Sequence, residues 1–153
     1  MIKIIKNLFI IFFFTTFLIQ YTSSKEKDIF LSLKYNKVKV RHGPSLKHPV
    51  KFIYKKKYLP LKVIDTSDKF KKIIDLKNNS GWIHISQLNG KKSAININDL
   101  STVFKKPNIY SKPFAKLEKG KLVTIYKCKK KWCKILINNN KVWIQKKFLW
   151  GNF

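Results

Sequence analysis

The stretch "GWIHISQLNG", residues 81–90, decides how this chain is read, because "VWIQKKFLWG", residues 142–151, repeats its rhythm. In each, Trp is followed by Ile and a polar residue, with Leu six places beyond the Trp and Gly two places further on. Upstream of the two Trp residues the likeness continues. "FKKIID" (70–75) faces "WCKILI" (132–137), and "YLPLKVID" (58–65) faces "LVTIYKC" (122–128). Pro49-Val50 matches Pro113-Phe114, and Ile53 matches Leu117. The copies span residues 36–90 and 99–153.

Within a copy the apolar residues alternate over short runs, as Leu59, Leu61 and Val63 do, which is the period of a half-buried strand. Turn formers bound the runs at Gly43-Pro44, Asp65 to Asp68, Asn78 to Gly81 and Asn138 to Asn140. No segment after residue 25 carries a helical apolar period. About five short strands per copy predict an all-β chain of two small barrels or sandwiches. A unit of this size buries only about 60% of its unfolded surface, so packing of one copy on the other is expected. The bridge "KKSAININD" (91–99) alternates Ile with Asn and reads as a docked strand.

Composition supports a packed core, with 44% apolar and 14% aromatic residues. The formal net charge is +27, and of 34 basic residues all but Arg41 are Lys. The 36–90 copy holds 13 basic residues against 3 acidic, and the 99–153 copy 14 against 2. Two readings stay open. Lys, Ile and Asn are all favoured by A/T-rich codons, while a field of this strength attracts polyanions.

At the N-terminus Lys3 and Lys6 precede the apolar run "LFIIFFFTTFLI" (8–19), and Thr22, Ser23 and Ser24 follow. This is the order of a secretory signal peptide, predicted over residues 1–24, with cleavage after Ser24. The run is short of the roughly 20 residues that span a bilayer. Counting Ile4 and Ile5 brings it closer, so an uncleaved membrane anchor is the alternative, and with it the one expected membrane contact. Export to the periplasm is the expectation. Residues 25–35 then form a short leading segment and 91–98 a connecting one.

Cys128 and Cys133 suit a disulfide across a hairpin end in an oxidising compartment, contributing about 2 kcal/mol; two reduced thiols are the alternative. Two Cys and distant His residues supply too few ligands for a metal. The three His residues, His42, His48 and His84, all lie in the first copy and both Cys in the second. No His-Glu-x-x-His pattern and no Gly-rich phosphate loop is present. The chain therefore reads as a non-enzyme that needs no cofactor.

The run "VKVRHGPS" (38–45), followed by "LPLKVI", "FKKI" and "GWIHISQL", resembles a bacterial SH3 domain. The second copy departs from the pattern, with Phe104-Lys-Lys-Pro107 in place of Val-Arg-x-Gly-Pro and Val142 in place of Gly before Trp143. The whole is similar to two-repeat bacterial SH3-like proteins, whose second copy carries Cys-x-x-x-Trp-Cys and a closing Leu-Trp-Gly, here Leu149-Trp150-Gly151. The resemblance implies two tandem five-stranded SH3-like barrels, with Trp82 and Trp143 packing the last strand of each. It also implies a binding module associated with the cell envelope. Expected ligand residues are Arg41, Tyr54, Tyr58, Phe70, Trp82 and His84. Core packing competes for the aromatics. Arg41 offers a fork for a carboxylate. Peptidoglycan or another anionic envelope polymer is the expected partner, an envelope protein is the alternative, and nucleic acid is disfavoured by export.

Overall fold

The computed structural model describes residues 28–153. The expected signal peptide, its cleavage site and residues 25–27 lie outside them. Fourteen strands follow in order. The first seven are β1 (Phe30–Leu33), β2 (Val38–Arg41), β3 (Val50–Tyr54), β4 (Pro60–Ser67), β5 (Phe70–Ile74), β6 (Ser80–His84) and β7 (Leu88–Asn89). The second seven are β8 (Ser93–Asn96), β9 (Leu100–Phe104), β10 (Pro113–Glu118), β11 (Leu122–Lys129), β12 (Trp132–Ile137), β13 (Asn140–Gln145) and β14 (Leu149–Asn152). A single 3-10 turn precedes the last strand of each set, at Ile85–Gln87 and at Lys146–Phe148.

Each set forms one antiparallel sheet, and the strand orders are the same. The first runs β3-β2-β6-β5-β4-β1-β7 and the second β10-β9-β13-β12-β11-β8-β14. The phrase repeated in the sequence is therefore one structural phrase, a strand, a 3-10 turn and the strand that ends the sheet. Seven strands stand where five were expected, because each repeat's sheet takes in a strand from the segment that precedes it. The leading segment (25–35) contributes β1 and the connecting segment (91–98) contributes β8. Each inserts between the long hairpin and the closing strand, with Leu31 opposite Leu61 and Ala94 opposite Val123. The reason is the closing strand itself, whose backbone groups need a partner on the open side.

Pairing also corrects the alignment of the third strands by one residue. Val50 lies opposite Arg41 as Pro113 lies opposite Phe104, and Tyr54 faces Val38 as Leu117 faces Ser101. Bulges recur at equivalent points, leaving Ile64 unpaired between Val63 and Asp65, and Tyr126 between Ile125 and Lys127. A shared bulge bends both long strands alike and keeps the duplicates congruent.

Each sheet encloses its own core. The first gathers Leu33, Val38, Val40, Leu61, Ile73, Ile83 and Leu88. The second gathers Val103, Val123, Ile125, Cys133, Ile135, Ile144 and Leu149, among others. A seam joins the two sheets. Ser32 Oγ lies 2.7 Å from Ser93 Oγ and donates to the carbonyl of Lys91 at 2.6 Å. Phe30 meets Trp150 edge to face at 5.0 Å. Gly151 (φ 147°) sits so close that an added Cβ would lie 2.4 Å from the Ser93 carbonyl oxygen and 3.1 Å from Pro60.

Candidate functional site

The six residues expected from the first repeat do not converge on one site. Arg41 and Trp82 are opposite one another where β2 meets β6. Arg41 is not a free fork, because its Nη1 donates to the carbonyl of His48 at 2.7 Å and ties down the loop between β2 and β3. Phe70 is a core residue, 6% exposed, and meets the His84 ring edge to face at 5.1 Å. His84 Nδ1 accepts from the backbone N–H of Ser86 at 3.3 Å, capping the 3-10 turn. Tyr54 stands at the far side of the sheet and donates its hydroxyl to Asp75 Oδ2 at 3.0 Å. Burial, and then the Asp75 charge and hydrogen bond, raise its pKa well above the ordinary phenol value. Tyr58 lies near the seam with φ 63°, its N–H donating to Leu33 at 2.9 Å and Lys57 over its ring at 5.0 Å. The side chains of Arg41, Tyr54, Phe70 and His84 thus each have a visible structural task.

The second repeat presents a cleft instead, of about 860 Å³. Three elements build it. The β9–β10 loop contributes Asn108 and Ile109, and the β11–β12 turn contributes Lys130, Lys131 and Trp132. The end of β13 and its 3-10 turn contribute Gln145, Lys146 and Lys147, with Leu149 and Phe153 behind. Trp132 is fixed by an edge-to-face contact with Phe104 at 5.7 Å. The 3-10 turn is tied to the hairpin by a bond of 2.8 Å from the Lys146 N–H to the Lys131 carbonyl.

The loop holds its shape although its sequence departs from the first copy. His42 N–H bonds Pro49 in one loop, and Lys105 N–H bonds Lys112 in the other. Ser45 to Gly43 and His48 to Ser45 are likewise matched by Asn108 to Lys106 and Ser111 to Asn108. Side chains in the second loop reinforce it, with Asn108 Oδ1 accepting from Tyr110 N–H at 2.7 Å and Ser111 Oγ from Lys106 N–H at 3.1 Å. Tyr110 projects beside Ile109, 91% exposed.

Four lysines and an indole thus line one concave surface to which no Asp or Glu side chain contributes. Such a surface attracts an anion electrostatically and offers an aromatic face for a ring or an apolar segment. Among the described residues no group of three or more His, Cys, Asp or Glu side chains is placed to hold a metal. The sequence carried a signal for this cleft. The run Lys129–Lys131 precedes Trp132, and Lys146-Lys147 follows Gln145, but only the fold shows that the two runs share a wall.

Cys128 and Cys133 lie directly opposite one another on β11 and β12 and are joined in a disulfide. The family model for the bacterial SH3 domain matches residues 34–90 and again 99–151. The chain belongs to the bacterial SH3 domain family. Both copies are all-β, and both matches end at the closing strand seen here. No curated protein matches the chain.

Among solved structures, it is similar to an NlpC/P60 family protein from Bacillus cereus, with 9% identity and a TM-score of 0.35. That match covers 80% of this chain and 56% of the other. It is also similar to NlpC2 from Trichomonas vaginalis, with 13% identity, a TM-score of 0.38 and coverage of 83% and 49%. NlpC1 from the same organism matches at 14% identity and a TM-score of 0.37, covering 84% of this chain and 47% of that one. This chain spans about half the length of those proteins.

Proposed function

We propose that the protein is an exported, non-catalytic binding module that recognises an anionic polymer of the cell envelope, with peptidoglycan as its ligand. Bacterial SH3 domains are generally cell-wall binding modules. The observation that carries the reading is the second repeat's cleft, which Lys130, Lys131, Lys146 and Lys147 line together with Trp132 and to which no Asp or Glu side chain contributes. Carboxylates of the stem peptides would meet the ammonium groups while an apolar or ring portion lies against the indole. The contact is between exposed charges, so it should weaken as salt shortens the Debye length from about 10 Å at 0.1 M to about 3 Å at 1 M. Arg41, committed to the His48 carbonyl, is a loop-holding residue in this reading.

The test is sedimentation of the purified protein with isolated sacculi. One variant carries Gln at Lys130, Lys131, Lys146 and Lys147. A second carries Gln at Lys55, Lys56, Lys57 and Lys77, so that the net charge is the same. Loss of binding in the cleft variant, at least roughly tenfold, with retention in the other supports the cleft. Equal losses would mean that charge alone adheres, and the search would turn to an envelope protein as partner.

A further inference from the structure

The disulfide sits one residue pair behind the tip of the hairpin that forms the basic wall of the cleft. Cys128 faces Cys133, and the next pair, Lys129 with Trp132, closes the turn. Lys130, Lys131 and Trp132, all at this tip, line the cleft. The first repeat builds the equivalent hairpin without a covalent link. There Thr66 faces Lys71, and Lys71 Nζ donates to Thr66 Oγ1 at 3.1 Å. The fold itself therefore does not require a disulfide at this position.

What differs is the turn. In the first repeat the left-handed position is Asp68, with φ 44°, and Lys69 follows it. Asp is one of the few residues that tolerate this conformation, and an acid beside a base carries no like-charge repulsion. In the second repeat the left-handed position is Lys130, with φ 48°, inside three consecutive lysines. A long unbranched side chain gains nothing there, and three neighbouring ammonium groups repel one another well within a Debye length. The residues that make the wall useful for an anion are those that disfavour the turn. Immediately behind them stands a covalent bond anchored in the core, since Cys133 is fully buried.

We propose that the Cys128–Cys133 disulfide is the positioning device of the cleft. It holds a like-charged, left-handed turn in place so that Lys130, Lys131 and Trp132 face the ligand, and high-affinity binding requires the oxidised pair. This rests on the cleft being the ligand site.

The experiment compares three states of the full chain: oxidised, reduced, and the variant Cys128→Thr/Cys133→Val. Dithiothreitol is the reductant; its two thiols pass two electrons and two protons to the pair, giving two Cys thiols and the cyclic oxidised reagent. Amide hydrogen exchange is read residue by residue, and affinity for isolated sacculi is measured in parallel. The expected result is faster exchange confined to the ends of β11 and β12, with the first repeat unchanged. If the open wall is in its binding geometry about one time in ten, the apparent Kd rises about tenfold.

Adding Lys130→Asn to the Cys-free variant should slow exchange at the tip again, because Asn accepts the left-handed conformation. Equal affinity of oxidised and reduced protein would overturn the proposal while leaving the cleft as a ligand site. Faster exchange throughout the second repeat would overturn it too, by making the disulfide a support of the whole sheet. No effect of Lys130→Asn would remove the account of the turn. Failure of the oxidised protein itself to bind sacculi would instead remove the functional reading, and the proposal with it.

Discussion

The two repeats share a strand order and matching bulges, yet they fill equivalent positions with different chemistry. Where β1 ends and β2 begins, the first core holds Leu33 and Val38. The second holds Asn96 and Ser101, both essentially inaccessible to solvent. Asn96 Nδ2 donates to the carbonyls of Asn98 and Leu117, and its Oδ1 accepts from Ser101 Oγ, each at 2.8 Å. Polar groups are thus tolerated inside a small sheet when every partner is present. The third strands differ in the opposite sense, with Tyr54 bonded to Asp75 in the first repeat and the apolar Leu117 at its place in the second. One backbone plan therefore accommodates two distributions of polarity, and the surface chemistry of the two repeats differs on top of it.

The largest break of this comparison is expected at the closing glycines. Gly90 has open space where a Cβ would be, whereas Gly151 abuts the Ser93 carbonyl, Ala94 and Pro60, at φ 147°. Backbone cannot yield as a flexible side chain does, and this φ is unfavourable for any L side chain. Gly151→Val should destabilise the protein by at least about 3 kcal/mol, or prevent β14 from docking, while Gly90→Val should stay within about 0.5 kcal/mol. Urea denaturation of the two variants checks this. Similar losses at both positions would mean that the seam is not a point of close approach.

A smaller effect is expected from making the cores alike. Asn96→Leu leaves the Ser101 hydroxyl and the Leu117 carbonyl without their partner, and should cost about 1–3 kcal/mol. Adding Ser101→Val removes one of those orphaned groups and reproduces the Leu–Val pair of the first repeat. The double variant should therefore be more stable than Asn96→Leu alone, a non-additivity readable by thermal or chemical denaturation. Strict additivity would show that the two side chains act independently.

How far the sequence foretold these features depends on the physical signal each one leaves. The repeat, the all-β class and the cysteine pair were legible because aromatic and β-branched residues recur in period two between turn formers. β1 was harder. "FLSL" is a four-residue strand with no periodicity of its own, and what makes it a strand is the unpaired backbone of β4 and β7 beside it, whereas the bridge holding "SAIN" alternates Ile with Asn and pairs with β11 and β14 as a docked strand would. The expected ligand residues sat in the first repeat because that copy keeps the Arg-x-Gly-Pro pattern. The loop hydrogen bonds show that backbone geometry survives without it, so Phe104-Lys-Lys-Pro107 builds the same loop. Arg41 was conspicuous as the sole Arg, but its bond to His48 is invisible in one dimension. The cleft was missed because its two lysine runs are distant in sequence and each, taken alone, reads as solvated surface.

The smallest effect concerns Tyr54, whose hydrogen bond to Asp75 has no counterpart at Leu117. Asp75 is also the acceptor for the N–H groups of Lys77 and Asn79, both at 2.9 Å, so it organises the β5–β6 turn with or without the tyrosine. Tyr54→Phe should then cost only about 1 kcal/mol at neutral pH. The pH dependence is more telling. The folded protein keeps the phenol protonated above its ordinary range, while the unfolded chain releases that proton near pH 10. Above that value the unfolded state binds fewer protons than the folded one, so stability falls as pH rises. The contribution is complete below about pH 10 and is lost progressively above it. Tyr54→Phe should remove this part of the alkaline loss, so that the wild-type and variant stability curves converge as pH increases. Parallel curves across that window, measured by urea denaturation, would mean that the hydroxyl is not held by Asp75 in solution.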